Sequence, residues 1–260
     1  MGEKRETRDA GPAARLFAPP LAAFQFLTLV PPVVRRPFAP LEMGRAVGYF
    51  PLVGVLLGGL LVGLDRGLAR LFPADVSAPL LLAAWVIATG ALHLDGFLDA
   101  CDGLFGGHTI EARLRIMRDE RVGAFGLAGG VLLLLLKYAA LAAAPHRAVA
   151  LLLAPTLARW GMTLAVILFP YARAQGLGRA MKDHAGWVQA ALATGIALVT
   201  AWFAGGWLGL AALGLAGVAT LGAARFVLAR LPGLTGDIYG ATCETVEVLV
   251  LLLFAAEVLG

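Results

Sequence analysis

Forty consecutive residues, Ala185 to Ala224, carry no charged side chain. A run of that length amounts to two helical crossings of a hydrocarbon layer ~30 Å thick, and Gly205-Gly206 is the natural place to break it. The same criterion, ~20 mostly apolar residues, selects seven spans along the chain. They fall at roughly 44–64, 76–94, 123–144, 148–170, 187–204, 207–230 and 240–259. Inside a bilayer each segment must satisfy its own backbone hydrogen bonds, so these spans read as helices. The fold class is therefore all-α, a polytopic integral membrane helical bundle. Composition agrees, because 60% of residues are apolar and only 15% charged, against about a quarter charged in soluble domains.

The flanks are less regular. Leu16 to Val30 is apolar but short, and Pro19-Pro20 and Pro31-Pro32 bracket its core, which predicts an interfacial or re-entrant helix. Residues 1–15 are polar, so a disordered cytoplasmic tail is expected and a signal peptide is not. Cys101 and Cys243 are too few for a disulfide framework or a thiolate metal site. The pI of about 9.4 reflects arginines in short loops, which argues for membrane topology and against nucleic acid. With seven spans, one set of connections carries Arg35, Arg36, Arg45, Arg113, Arg115, Arg118, Arg121, Arg173, Arg179, Lys182 and Arg230. The other carries only Arg66, Arg70 and Arg147. Eleven against three puts the first set in the cytoplasm.

Six of the seventeen acidic residues lie in one run on that side, HLDGFLDACDGLFGGHTIEARLRIMRDERVGAFG. Asp95, Asp99 and Asp102 are spaced four and three apart, which on a helix puts them on one face. Like charges stacked this way repel, so the pattern makes sense around a hard divalent cation, Mg²⁺ or Mn²⁺, with oxygen ligands and substrate phosphates. Asp119 is a fourth candidate ligand. His93 is out of phase with the aspartates and reads as a hydrogen-bonded packing residue. Arg113, Arg115, Arg118 and Arg121 follow within twenty residues and offer forked donors suited to phosphate, with Arg118 and Arg121 the better candidates.

A second acidic cluster, Asp237, Glu244 and Glu247, opens the last span. Charges within a span are costly and usually functional, so both glutamates are expected to face the bundle interior. A structural ion pair with Arg159 or Arg225 is the alternative, and for Asp237 a helix N-cap is. Lys137 and Arg159 lie inside spans, as substrate-anion ligands or as partners of those glutamates. Arg173, in the loop Pro170-Tyr171-Ala172-Arg173, is a further candidate anion ligand. Five tryptophans near span ends predict an aromatic belt.

At HLDGFLDACDGLFGG, IMRDERVGAFG, LLAPTLARWGM, PYARAQGLG and LTGDIYGATCETVE the chain closely resembles the cobalamin synthase family, the adenosylcobinamide-GDP ribazoletransferases. Phe26-Leu27-Thr28 and Phe50-Pro51-Leu52-Val53-Gly54 also look like family positions. Ala100 and Glu120 depart from it, where a threonine and a small residue are usual. The resemblance implies a Mg²⁺-dependent enzyme of the bacterial inner membrane whose active site faces the cytoplasm. It implies that residues 16–260 form a single transmembrane catalytic domain. The implied reaction joins adenosylcobinamide-GDP to α-ribazole, or its 5′-phosphate, and releases GMP. Asp95, Asp99, Asp102 and Asp119 would hold metal on the diphosphate, and Arg113, Arg118, Arg121, Lys137, Arg159, Arg173 and Glu247 would serve the substrates. A carboxylate of the aspartate helix or of Asp237, Glu244 and Glu247 would take the proton of the attacking hydroxyl. Two other readings stay open: a CDP-alcohol phosphotransferase-like lipid enzyme and a secondary transporter. Self-association into a homo-oligomer is compatible with all three.

Overall fold

The computed structural model describes residues 12–256. Its helices are α1 (Pro12–Leu27), α2 (Pro40–Ala46), α3 (Phe50–Leu68), α4 (Ala74–Ala88), α5 (Leu92–Cys101), α6 (Ile110–Ile116), α7 (Ala124–Ala143), α8 (Arg147–Leu168), α9 (Leu177–His184), α10 (Trp187–Leu228) and α11 (Gly236–Ala255). A 3₁₀ turn (Val47–Tyr49) joins α2 to α3, and a π-helical turn (Asp102–Gly106) extends α5. No strand occurs among the described residues; Tyr171 and Leu234 make an isolated parallel bridge. The all-α membrane bundle is what the apolar spans require.

Five helical segments are long and apolar enough to cross a bilayer: Pro40–Leu68, α7, α8, α10 and α11. The 42-residue α10 is folded back on itself, as its length demands. Gly206 has φ 54° and ψ −132°, and a Cβ on Gly209 would run into the Ala201 backbone, which a straight helix would hold some 12 Å away. The break expected at Gly205-Gly206 is therefore present. Both limbs lean on α8, one through Thr194 to the Trp160 indole (3.0 Å) and the other through Thr220 against Gly161.

The span expected at 76–94 is not one helix. It breaks at Thr89–Ala91, where Gly90 (φ 61°) and Ala91 (φ 56°) both adopt left-handed backbone, and the chain turns by 92° between α4 and the segment Leu92–Gly106. For Ala91 this conformation costs ~1–2 kcal/mol. The two pieces together still cross the bundle. Ser77, in α4, receives Arg147 from the start of α8, whereas Asp102, after α5, meets the opposite end of α7 at Gly123. The aspartates thus ride on the second half of a broken span and not on a helix that has already emerged.

Helix α8 is the axis of the bundle. Leu151, Ala154, Leu157, Ala158 and Val166 are all fully buried. Against it α3 presents Gly54 and Gly58, where any Cβ would collide with the backbone of Leu151–Thr156. This small-xxx-small contact gives close backbone packing where the hydrophobic effect cannot drive helices together.

At sixteen residues, ~24 Å, α1 is too short to span. It passes through Pro19 and Pro20, which were expected to bound it, and buries Ala18, Ala22, Ala23 and Leu27. Of the expected tail, residues 1–11 lie outside the described residues, while Pro12 onward is already helical. The last three residues of the expected 240–259 span also lie outside them. The aromatic belt holds for Trp187, Trp202 and Trp207, which are exposed near helix ends. Trp85 and Trp160 are buried instead, one under the Lys137 ammonium (5.0 Å to the ring centre) and one against Thr194.

Candidate functional site

The end of the bundle where α5 finishes and α7 and α11 begin collects most of the polar residues singled out above. Two glycines set its width. A Cβ on Gly96 would meet the backbone of Asp237 at 3.0–3.1 Å, and one on Gly240 would meet the carbonyl of His93 at 3.0 Å. Helices α5 and α11 can therefore approach until Asp99 feels the charges of Asp95, Asp237 and Asp102, with Arg173 nearby.

Asp237 is the anchored member of this group. Its Oδ2 accepts from Arg173 Nη2 (2.6 Å) and from Thr235 Oγ1 (3.1 Å). Thr235, and not Asp237, is the N-cap of α11, accepting from the Ile238 amide (3.3 Å). Arg173 is held in place by its loop. Across the Tyr171–Leu234 bridge the Ala172 amide donates to the Leu234 carbonyl and the Leu234 amide to the Pro170 carbonyl (2.8 Å each), and Arg173 Nη2 also donates to the Met117 carbonyl (3.3 Å). Tyr171 stacks on Tyr239 (5.9 Å). Burial pushes the Tyr171 phenol up from its ordinary value, with the nearby Asp237 charge adding to the effect, so it stays protonated at neutral pH.

The four aspartates expected as metal ligands are placed in different surroundings. Asp95 is exposed and Asp99 half-buried, and neither side chain has a hydrogen bond or ion pair among the described residues. Repelling, uncommitted oxygen donors one turn apart suit a hard divalent cation. Asp102 is used otherwise. It is 8% exposed, and its two oxygens accept from the amides of Gly123 (2.7 Å) and Gly126 (2.8 Å). It caps α7 from outside, closing off donors that the helix start leaves free. Asp119 is exposed, with Oδ1 accepting from the Arg121 amide in its own turn (3.1 Å). No three acidic, imidazole or thiol groups among the described residues converge as a metal-binding set, so the four aspartates do not form one site.

The inner carboxylates belong to a different structure. Glu247 takes Arg159 on one oxygen (2.5 Å) and Lys137 on the other, and Lys137 also binds Glu244. Exposures of 0–6% put all four in the interior. His93, also buried, sets Nδ1 3.4 Å from Arg159 Nη2 and serves as the packing residue expected of it. Two cations and two anions balance there, which is the structural ion pairing weighed above; Glu244, expected in proton transfer, and Lys137, Arg159 and Glu247, expected in substrate binding, stand in a buried ion network and not in the open cleft described below. Arg225, the other expected partner, is exposed and takes no part.

The arginines sort by environment. Arg113 turns inward to the Arg230 carbonyl (3.3 Å). Arg121 is exposed. Arg118 and Arg173 share an open cleft of about 400 Å³ with Glu111, Leu114, Arg115, Ala172 and Ala174. Arg115 was expected among the phosphate donors; Glu111 was not singled out from the sequence, where nothing distinguishes it from a solvated helix charge. A second cavity, of about 450 Å³, is lined by Phe24, Leu29, Leu57, Leu60 and Ala88, and has no charged group with which to handle phosphate.

Fold and site together define a polytopic membrane protein that gathers carboxylates and guanidiniums at one mouth of a helical bundle. The family profile for cobalamin-5-phosphate synthase matches residues 19–255, and the chain belongs to that family. Among its relatives is an adenosylcobinamide-GDP ribazoletransferase of Roseiflexus sp. (strain RS-1), 38% identical over 90% of this chain and 88% of the relative. Proteins of the same name from Geotalea daltonii (40% identical; 90% and 95% covered) and Pseudomonas fluorescens (41%; 88% and 96%) are similar to it as well. No solved structure matches the chain.

Proposed function

We propose that this protein is an adenosylcobinamide-GDP ribazoletransferase of the bacterial inner membrane, working from the cytoplasmic side. It joins adenosylcobinamide-GDP to α-ribazole, or its 5′-phosphate, and releases GMP. The observation that carries the reading is the meeting of Asp95, Asp99 and the Arg173–Asp237 pair beside an arginine-lined cleft. The arginine count of the connections on that side supports the cytoplasmic orientation.

In this reaction an acceptor ribose hydroxyl attacks the phosphorus that carries the corrinoid alcohol. The bond from that phosphorus to the bridging oxygen breaks, and GMP leaves with the electron pair. Such transfers depend on positioning and on neutralising charge more than on covalent chemistry. Arg118 and Arg173 hold the phosphate oxygens from the cleft. Asp95 and Asp99 would hold Mg²⁺ through their carboxylate oxygens, and the metal would supply positive charge to offset that of the diphosphate. Asp237 is the carboxylate placed to receive the hydroxyl proton, since Arg173 and Thr235 fix Oδ2 and leave Oδ1 uncommitted.

Purified protein in detergent, given both substrates and Mg²⁺, should release GMP only when α-ribazole is present, and EDTA should stop it. Asp99→Asn should abolish turnover while the protein still inserts and folds. Absence of α-ribazole-dependent GMP from folded protein refutes the assignment and reopens the transport reading.

A further inference from the structure

The cleft beside the site contains one acidic residue among its arginines, and its order along the chain is informative. Glu111, Arg115 and Arg118 are spaced four and three apart, and extend ~10 Å along α6 and the turn that follows it. Glu111 and Arg115 are one helical turn apart, where a solvated helix would pair them, yet no ion pair joins them among the described residues. Arg115 and Arg118 likewise have no acidic partner there. The far end of the cleft is fixed by Arg173, which binds Asp237 and lies near enough for its charge to act on Asp99.

An anionic ligand in this cleft has one favourable direction. Its phosphates belong at Arg118 and Arg173, next to the carboxylates, which leaves Glu111 at the end away from the chemistry. A carboxylate there repels phosphate but accepts two donors in parallel. Guanine presents such a pair on one edge, N1–H and the 2-amino group. Hypoxanthine keeps only N1–H, and adenine presents an acceptor at N1. We propose that Glu111 reads the guanine base of the donor nucleotide, with Arg115 and Arg118 along the ribose phosphate. This rests on the transferase reading, whose donor carries GDP, and adds to it the residue that selects that nucleotide.

The test is calorimetric titration of the purified full-length protein in detergent with GMP, IMP, AMP and ribose 5-phosphate. Wild type should bind in the order GMP, IMP, AMP, with GMP about tenfold or more tighter than AMP, as expected for hydrogen bonds to a charged group. Glu111→Ala should shrink that gap to about twofold and leave ribose 5-phosphate unchanged; Glu111→Gln, which keeps one acceptor, should fall between. Arg115→Ala should weaken all three nucleotides alike. The proposal is overturned if Glu111→Ala keeps the wild-type preference, or if wild type has none. Measuring α-ribazole-dependent GMP release on the same wild-type sample separates the two claims. Release with an unchanged preference in Glu111→Ala removes only the base assignment, whereas no release removes the transferase reading whatever the titrations show.

Discussion

Replacing Glu247 by glutamine tests the buried ion network directly. Glu247 is 1% exposed and is the residue both cations share, with Arg159 Nη1 on one oxygen and Lys137 Nζ on the other. Glutamine fills the same space but carries no charge and presents an amide NH₂ to one of those donors. Two buried cations would then face only Glu244. Removing one partner from a buried ionic group costs ~3–5 kcal/mol, because the remaining charge is left uncompensated. For a chain of this size each kcal/mol moves the melting temperature by ~2–4 °C, so a drop of ~6–20 °C is expected. A thiol-reactive fluorophore can follow the transition, since Cys243 is fully buried with Sγ 3.8 Å from Glu247 Oε1. The double variant Glu247→Gln, Lys137→Met removes one charge of each sign and should recover a substantial part of the loss. A melting temperature for Glu247→Gln within ~2 °C of wild type would mean that water or lipid headgroups reach these charges, and the buried-network account would fall.

Three further outcomes follow from the same geometry. Asp102→Ala strands the amides of Gly123 and Gly126 and should destabilise the protein by ~2–4 kcal/mol, yet Mg²⁺ should raise the melting temperatures of variant and wild type alike; loss in the variant of a metal-induced shift that wild type shows would instead make Asp102 a ligand. Ala91→Gly relieves left-handed backbone without removing a buried side chain, so stability should rise by up to ~1 kcal/mol; a loss of stability would show that the strain account is wrong. Gly96→Val pushes α5 from α11 at the Asp237 backbone, and should lower turnover far more than it weakens binding of GMP to the detergent-solubilised protein; a normal rate would show that the close approach does not position the aspartates.

Much of this architecture is set by the chain's chemistry before any contact forms. Apolar length alone dictates helices, because a bilayer satisfies no backbone polar group, and 40 uncharged residues have to turn back near their middle. The burial of Glu244 and Glu247 and the packing role of His93 are legible for the same reason, since a polar group within a span must find protein partners. Partner choice is a matter of tertiary structure. Spacing puts Asp95, Asp99 and Asp102 on one helix face, but only the approach of α7 decides that Asp102 caps two amides while Asp95 and Asp99 stay free. The break at Gly90 and Ala91 is equally invisible in an apolar run, because left-handed backbone at an alanine is held by packing and not by propensity. Arg173 meets Asp237 across 64 residues, and Lys137 meets Glu244 across 107. One-dimensional periodicity reports which face of a helix a residue occupies; only the assembled bundle sets which helix that face meets, and so which charges are paired and which remain for a ligand.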